Sequence, residues 1–214
     1  MPLIGVLGGS CDPIHNGHIR LALEAKEQLS LDHVRLIPLN FPPHRSRPIA
    51  SSLQRRKMIE LAIDNEECLR IDLRELDNDE TSYSINTLKS LRYEFIDDTL
   101  CLILGRDAFN KIDRWKDWKK LLNYAHIIVA NRPGESDEPK AQELKQWIKQ
   151  HQTNQLTALN EKLCGYIHFI NIPMLDISSS LIRKRHIERK VIAQFLSVST
   201  QIYIKENNLY QETV

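Results

Sequence analysis

Short apolar runs alternate with amphipathic segments along most of this chain. Six runs have the length and composition of buried strands: 3–7, 34–39, 69–73, 100–104, 126–130 and 166–170. Within them apolar and polar residues do not alternate strictly, which is typical of strands that helices cover on both faces. Strands separated by helices predict a parallel sheet with right-handed crossovers. We therefore expect an α/β, doubly wound, Rossmann-like parallel sheet with helices on both faces and a helical C-terminal part.

Helical spacing of apolar residues is clearest in 53–63 and 84–95, and the pattern is helical from 178 to near the end of the chain. Two polar stretches, 133–139 and, less clearly, 152–163, predict loops. Because neither stretch isolates a domain, we expect one domain over residues 1–214. Its helical C-terminal part begins at about residue 178.

The composition excludes several classes of function. Of the 214 residues, 42% are hydrophobic and 27% are charged, as in ordinary globular proteins. A formal net charge of +1 argues against nucleic acid as a partner. The apolar runs are too short to span a membrane, and the N-terminus lacks the features of a signal peptide, so no membrane association is expected. Four scattered cysteines without metal-ligand or redox spacing predict reduced thiols in a cytoplasmic protein.

A glycine-rich turn with two histidines follows the first predicted strand and precedes a helix. Its members are Gly8, Gly9, Ser10, His15, Gly17 and His18. A helix that starts directly after a strand presents free backbone N–H groups and the positive end of its dipole, which together bind phosphate. Gly17 allows close approach of the backbone. The two imidazoles beside a phosphate are expected to favour the protonated form and to donate hydrogen bonds to its oxygens. The turn therefore predicts a phosphate site with its own cationic catalytic groups.

A second helix start, at 177–183, combines hydroxyl groups with a cation. Asp176 or Ser178 is suited to cap the helix, and Ser179, Ser180 and Arg183 follow. A serine-rich cap with an ordinary exposed arginine is one interpretation. The other is a second phosphate-binding helix start, so that a triphosphate lies between the two.

Together these two segments resemble the paired signatures of the His-x-Gly-His nucleotidyltransferase superfamily. Within it the chain most resembles the bacterial nicotinate-nucleotide adenylyltransferases, over nearly its whole length. The segments that carry the closer resemblance are 40–45, 81–88, 105–108, Trp115 with Trp118, and 131–134.

The resemblance implies a reaction between ATP and nicotinate mononucleotide. A phosphate oxygen of the acceptor attacks the α-phosphorus of ATP, which releases pyrophosphate and forms the deamido dinucleotide. That oxygen is already ionised, so catalysis consists of positioning and charge stabilisation without a general base. Mg²⁺ is the implied cofactor, carried mainly by the ATP phosphates.

The same resemblance implies the site residues. His15 and His18 are the expected catalytic residues. The expected ATP-binding residues are Gly8, Gly9, Ser10, Gly17, Gly105, Asp107, Ser179, Ser180 and Arg183, with Asp107 accepting from a ribose hydroxyl. The expected acceptor-binding residues are Asn40, His44, Arg45, Tyr83, Ser84, Trp115 and Arg132. Tyr83 and Trp115 are equally compatible with a packing role, and His44 and Arg45 with a solvated loop.

Three positions depart from the usual family pattern. Ser10 stands where threonine is common, and Cys11 stands where an aromatic residue is common. The Cys11 thiol would lie beside the phosphate site, where we expect nearby cations to lower its pKa. After Arg183 the chain lacks the glycine that often precedes the last helices.

Other functions remain open on this sequence. The acceptor is alternatively nicotinamide mononucleotide or phosphopantetheine, although His15 and the chain length count against the latter. A cytidylyltransferase is a more distant alternative. A non-catalytic nucleotide sensor belongs to a different class, and the presence of His15, His18 and Arg183 together argues against it.

Overall fold

The computed structural model describes residues 2–43, 46–78, 80–131, 139–173, 175 and 177–211. Within these ranges the strands are β1 Leu3–Gly9, β2 His33–Pro38, β3 Leu69–Ile71, β4 Thr99–Gly105, β5 His126–Asn131 and β6 Ile167–Asn171. The α-helices are α1 Asn16–Leu29, α2 Ser52–Ile63, α3 Ser84–Glu94, α4 Arg106–Phe109, α5 Gln142–His151, α6 Thr157–Glu161, α7 Ser179–Ile187 and α8 Val198–Glu206. Short 3-10 helices cover Ile112–Arg114, Trp118–Asn123 and Ala193–Phe195.

The six strands form one parallel sheet in the order β3-β2-β1-β4-β5-β6. This order confirms the predicted doubly wound, Rossmann-like α/β fold. The chain starts in the middle of the sheet and winds outward in both directions. The order of the strands reverses between β1 and β4, and ligands of such sheets bind outside the carboxyl ends of the strands at that point.

Apolar side chains on the two faces of the sheet form two separate clusters. Along β1, Leu3 and Leu7 belong to one cluster, and Ile4 and Val6 belong to the other. Helices α1, α2, α7 and α8 contribute to the first cluster, and α3 and α5 to the second. Both faces are therefore covered, which explains why the strands are continuously apolar in sequence.

The structure differs from the sequence-based expectation in two segments. The predicted loop 152–163 contains the short helix α6, Thr157–Glu161. The helical C-terminal part is interrupted between α7 and α8, where a single 3-10 turn lies at Ala193–Phe195. Most of the predicted loop 133–139 lies outside the described residues. Among the residues that the structure describes, no helix is long and apolar enough to cross a membrane.

Candidate active site

Strands β1 and β4 separate before they end. Their ladder stops at the pair Val6 and Leu102, although the strands continue to Gly9 and Gly105. A Cβ on Gly105 would meet no atom within 4 Å, and its φ of −68° suits any residue. The nearest atom to a Cβ on Gly8 is 4.0 Å away. Since neither backbone conformation nor packing requires these glycines, they leave open space at the switch point of the sheet.

His15 and His18 lie together at the start of α1. His15 is the N-cap residue, with extended backbone at φ −149° and ψ 168°. Its backbone N–H donates to Nδ1 of His18 at 3.3 Å, and its own ring turns back toward the N–H of His18. The ring centroids are 3.8 Å apart and the planes are inclined by 32°. The helix start thus holds the two imidazoles against each other.

The hydrogen bond from His15 determines which nitrogen of His18 carries the proton. Because Nδ1 accepts, the proton of the neutral ring sits on Nε2. That atom lies beside Gly9, where a Cβ would be only 3.6 Å from it. Burial lowers the pKa of His18 to about 4. Burial and the nearby His18 lower the pKa of His15 to about 2. Both rings are therefore neutral at pH 7 in the free protein, so the expectation of protonated imidazoles is wrong there, and His18 presents an N–H donor without carrying a charge.

Gly17 leaves room for the ring of His15. A Cβ at position 17 would lie 3.0 Å from Nδ1 and 3.1 Å from Cε1 of that ring. Nδ1 of His15 is itself buried without a hydrogen bond of normal geometry among the described residues. The ring is consequently held by packing, and any side chain at position 17 would displace it.

Helix α7 is docked on the histidine turn by side chains from its first two turns. The hydroxyl of Ser179 donates to the carbonyl oxygen of Pro13 at 2.9 Å, and Nη1 of Arg183 donates to the carbonyl oxygen of Asp12. Ser178 caps the helix through its own hydroxyl. The N-termini of α1 and α7 therefore meet at the carboxyl ends of the strands, as a site for two or more phosphates requires.

The predicted phosphate ligands of α7 differ in how many of their polar groups remain available to bind a phosphate. Ser180 is exposed at the helix start. The side chain of Arg183 is 24% exposed, and one of its five N–H donors is committed to Asp12. The hydroxyl hydrogen of Ser179 is used within the protein, so its contacts support a docking role.

A buried carboxylate that the sequence analysis did not single out lies beneath the turn. Asp12 is 3% exposed. Its carboxylate accepts from the N–H of Ile49 at 2.8 Å, from the N–H of Ala50 at 3.0 Å and from the hydroxyl of Tyr210 at 2.7 Å. The turn is thereby joined to the segment before α2 and to the C-terminal end of the described chain.

A buried arginine supports the same turn. Arg55 is 1% exposed and donates to the carbonyl oxygens of Ser10 at 2.9 Å and Leu39 at 2.6 Å. The sequence carried a signal for this residue, because Arg55 lies three and four positions before the buried Met58 and Ile59 of α2. An arginine on the apolar face of a helix is buried and must find acceptors.

Ser82 joins the loop after β2 to the start of α3. Its Oγ accepts from the N–H of Asn40 at 3.0 Å and from the N–H of Phe41 at 3.3 Å. The Asn40 side chain is engaged at both ends: Nδ2 donates to the carbonyl oxygen of Asn78 at 3.0 Å, and Oδ1 accepts from Ser52 at 3.1 Å. These contacts support a role for Asn40 in holding the loops together.

The N-terminus of α3 lies beside the segment that contains Trp115. Tyr83 is the N-cap residue and Ser84 begins the helix. The Lys116 ammonium lies over the Tyr83 ring, 4.5 Å from its centroid. Trp115 is partly buried and packs against the apolar cluster that includes α3. This arrangement offers backbone N–H groups, a cation and an aromatic ring within one region.

The remaining predicted residues have mixed outcomes. Asp107 is exposed in the first turn of α4, directly after the open position at Gly105. His44, Arg45 and Arg132 lie outside the described residues.

The expectation for Cys11 is wrong. Its thiol is 5% exposed within an apolar cluster, and burial raises its pKa to about 12 despite the charge of Arg55. The thiol fills the space beneath the turn and is not activated.

In the described part of the chain, no three His, Cys, Asp or Glu side chains come together as a metal site. The Asp12 carboxylate beside the turn is already occupied by three hydrogen-bond donors. The N–H donors and imidazoles of the described residues near the turn are suited to phosphate oxygens.

Comparisons with known proteins identify the family of the chain. The cytidylyltransferase-like family matches residues 6–185. Proteins of Psychromonas ingrahamii and Aeromonas salmonicida, each named a probable nicotinate-nucleotide adenylyltransferase, are 40% and 39% identical over 209 and 210 residues. In both cases the match covers 97% of this chain and 97% of the relative.

The fold is also that of a solved enzyme. The nicotinic acid mononucleotide adenylyltransferase of Plasmodium falciparum, complexed with NaAD, has a TM-score of 0.73 at 22% identity and is covered to 98%, as is this chain. At that identity the likeness concerns the fold. The full-length similarity to the bacterial proteins goes further: the chain belongs to the cytidylyltransferase-like family and, within it, to the nicotinate-nucleotide adenylyltransferases.

Proposed function

We propose that this protein transfers the adenylyl group of ATP to nicotinate mononucleotide, forming nicotinate adenine dinucleotide and pyrophosphate in NAD biosynthesis. The observation that carries the proposal is the docking of α7 on the histidine turn, through Ser179 to Pro13 at 2.9 Å and Arg183 to Asp12. It joins two helix N-termini at the open switch point of the sheet, where the triphosphate lies between them.

The histidines act on the phosphate at which the bond changes. The Nε2–H of neutral His18 donates to an oxygen of the α-phosphate, whose charge grows as the new bond forms. His15 lies against it at 3.8 Å between ring centroids and supports the leaving pyrophosphate. Ser180 and Arg183 hold the β- and γ-phosphates. The space that the triphosphate occupies is lined by Gly8, Gly9, Ser10 and Gly17. Gly105 and Asp107 take the adenosine, with Asp107 accepting from the ribose.

The reaction needs no general base. The attacking oxygen belongs to the acceptor phosphate, which is ionised at neutral pH. As it bonds to the α-phosphorus, the bond to the bridging oxygen of the pyrophosphate breaks, and that oxygen keeps the electron pair. The protein therefore aligns the two phosphates and stabilises charge.

Magnesium enters with ATP as part of the substrate. Its charge neutralises the triphosphate, and the carboxylate nearest the histidine turn, Asp12, is already filled by hydrogen bonds. No residue of the protein is assigned to the metal.

The acceptor lies at the start of α3. The backbone N–H groups of Ser84 and Ile85 lie in the first turn of α3, where they take no part in the hydrogen bonds of the helix. They donate to the pyridine carboxylate, which the positive end of the helix dipole also attracts. Trp115 stacks on the pyridinium ring. Tyr83 and Asn40 fix these loops, and His44, Arg45 and Arg132 are proposed for the acceptor phosphate.

The test is an assay of pyrophosphate release from MgATP with three acceptors compared in parallel. Nicotinate mononucleotide is expected to react fastest, with nicotinamide mononucleotide and phosphopantetheine far slower. Equal rates with the two pyridine nucleotides would remove the role of α3 in carboxylate recognition. A preference for phosphopantetheine would overturn the proposed function.

The four cysteines are unpaired in the structure, and we propose that the enzyme works in the reducing cytoplasm.

A further inference from the structure

The chain bends sharply after α8 and buries a tyrosine. Asn208 and Tyr210 have φ values of 50° and 61°, a left-handed conformation that residues with bulky side chains rarely adopt. Tyr210 is nevertheless 6% exposed, and its neighbour Leu209 is 8% exposed. Asparagine tolerates this conformation, whereas tyrosine does not, so the folded protein must hold Tyr210 in place, and such outliers are often tied to function.

The group that receives the tyrosine is the carboxylate beneath the histidine turn. The hydroxyl of Tyr210 donates to Oδ1 of Asp12 at 2.7 Å and lies 3.9 Å from the sulfur of Met58. Oδ1 also accepts from Ala50, and Oδ2 accepts from Ile49. Ile49 and Ala50 donate through their backbone N–H groups, whereas Tyr210 donates through its side chain and lies 198 residues from Asp12 in the sequence.

The same aspartate is linked to a proposed phosphate ligand. Nη1 of Arg183 donates to the backbone carbonyl oxygen of Asp12 and lies 3.6 Å from Oδ2 of its carboxylate. The carboxylate is thus near the guanidinium without a direct hydrogen bond to it. The other nearby cation, Arg55, has its Nη1 committed to Ser10 and Leu39.

We propose that Tyr210 is a positioning residue for the phosphate site: its hydroxyl holds and partly neutralises the Asp12 carboxylate, so that Arg183 stays available for the triphosphate. The inference rests on the proposed role of Arg183 in ATP binding. Without the hydroxyl, Oδ1 keeps only the Ala50 N–H, and an anion that loses a donor attracts the nearest cation more strongly. Arg183 then closes the 3.6 Å gap to Asp12 and turns away from the ligand.

The hydroxyl remains a donor in any practical buffer. Burial and the adjacent Asp12 carboxylate both raise the pKa of Tyr210. The group therefore keeps its proton, and its removal by mutation is the suitable perturbation.

The experiment compares Tyr210→Phe with the wild type by binding of MgATP alone and by steady-state kinetics. We expect the Kd and the KM for ATP to rise about tenfold, as for one lost hydrogen bond to a charged group. The KM for nicotinate mononucleotide and kcat should stay within about twofold. The matched control is Tyr203→Phe, a partly buried tyrosine of α8 that packs against the same apolar cluster. It should leave all these constants unchanged.

A double-mutant cycle separates positioning from structural support. In an Arg183→Gln background, Tyr210→Phe should change the Kd for ATP by less than about twofold, because the group through which it acts is gone. Unchanged ATP binding in the single variant, or the same tenfold effect in both backgrounds, would overturn the proposal. A merely structural role predicts a lower Tm. It also predicts that the constants for ATP and for the acceptor change to the same extent.

The design also separates this proposal from the proposed function. If the wild-type protein fails to turn over nicotinate mononucleotide, the proposed function fails, while the binding cycle still decides the role of Tyr210. Should Tyr210→Phe melt near the assay temperature, the measurements are made for all variants in trimethylamine N-oxide, which strengthens burial.

Discussion

The hydroxyl of Ser179 donates a hydrogen bond of 2.9 Å to the backbone carbonyl oxygen of Pro13, across 166 residues of sequence. A carbonyl in the turn after the first strand is thus satisfied by the first residue of α7. The contact sets the position of one helix N-terminus relative to the other. Because the proposed phosphate site lies between the two, we expect docking and ligand affinity to be coupled.

Ser179→Ala is expected to raise the KM for ATP about two- to tenfold, since an ordinary hydrogen bond contributes about 0.5–1.5 kcal/mol. The KM for the acceptor should not change, because α3 is not involved. Steady-state kinetics with each substrate varied in turn measure this. Ser199→Ala, an exposed position on α8, is the control. An equal rise in both KM values would show that the change acts on the whole fold.

His18→Ala is expected to lower kcat by about 10²–10³, the usual effect of removing one donor to developing charge. Folding should persist, because the substitution truncates one side chain at the start of α1 and leaves both apolar clusters intact. His18→Gln keeps an N–H donor and should recover part of the rate. His151→Ala is the control. His151 contacts Gly165, which precedes β6 at the amino ends of the strands, so this variant should retain full activity. Near-normal turnover by His18→Ala would remove the proposed mechanism.

The neutrality of the histidines predicts the pH dependence of kcat. Burial lowers the pKa of His18 to about 4, so the rate should not fall as the pH rises from about 7 to 9. Below about pH 6 it should decline, as the phosphate of the acceptor becomes protonated. An imidazolium catalyst with an ordinary pKa of about 6.5 would instead lose activity above pH 7. A kcat profile with saturating substrates distinguishes the two.

The alternation of strands and helices made most of the fold predictable. Each strand is a separate apolar run, and parallel pairing follows because helices separate them. Helix α6, Thr157–Glu161, was missed because five residues are too few to show periodicity. The two helix starts with their glycines, histidines and hydroxyls were also visible, since each is continuous in sequence.

The contacts beneath the site were not predictable in the same way. Asp12 meets Tyr210 across 198 residues, and no local pattern relates such a pair. Arg55 did carry a signal, as a cation on an apolar helix face. One of the two acceptors of that arginine, the carbonyl of Ser10, depends on the tertiary path of the turn. Long-range polar contacts of this kind therefore leave no local pattern in the sequence.

Acid should destabilise the protein through its buried histidines. The folded-state pKa values of His15 and His18, about 2 and 4, lie below the unfolded value of about 6.5. His33 and His126 are also lowered by burial. Below pH 6.5 the unfolded chain binds more protons, so the free energy of unfolding is greatest above that pH and falls as the pH decreases. Each histidine contributes at most about 1.4 kcal/mol per pH unit.

Urea unfolding at pH 7, 6 and 5 measures this loss. His18→Gln should have a smaller pH slope than the wild type, by about one proton between pH 6 and 5. Identical slopes would mean that His18 is protonated in the folded protein as readily as in the unfolded chain.

Gly105→Ala separates folding from ligand binding. The backbone at φ −68° accepts alanine, and its Cβ meets no atom within 4 Å. The free energy of unfolding should therefore stay the same or rise by about 0.4–1 kcal/mol, through the smaller entropy of the unfolded chain. The added methyl occupies space proposed for adenosine, so the KM for ATP should rise at least about tenfold. Gly5→Ala provides the contrast, because its Cβ would lie 2.9 Å from Leu31 and Val34 and must destabilise the core. Unfolding curves and ATP kinetics on both variants decide the matter: a stable Gly105→Ala protein with unchanged ATP affinity would place the adenosine elsewhere.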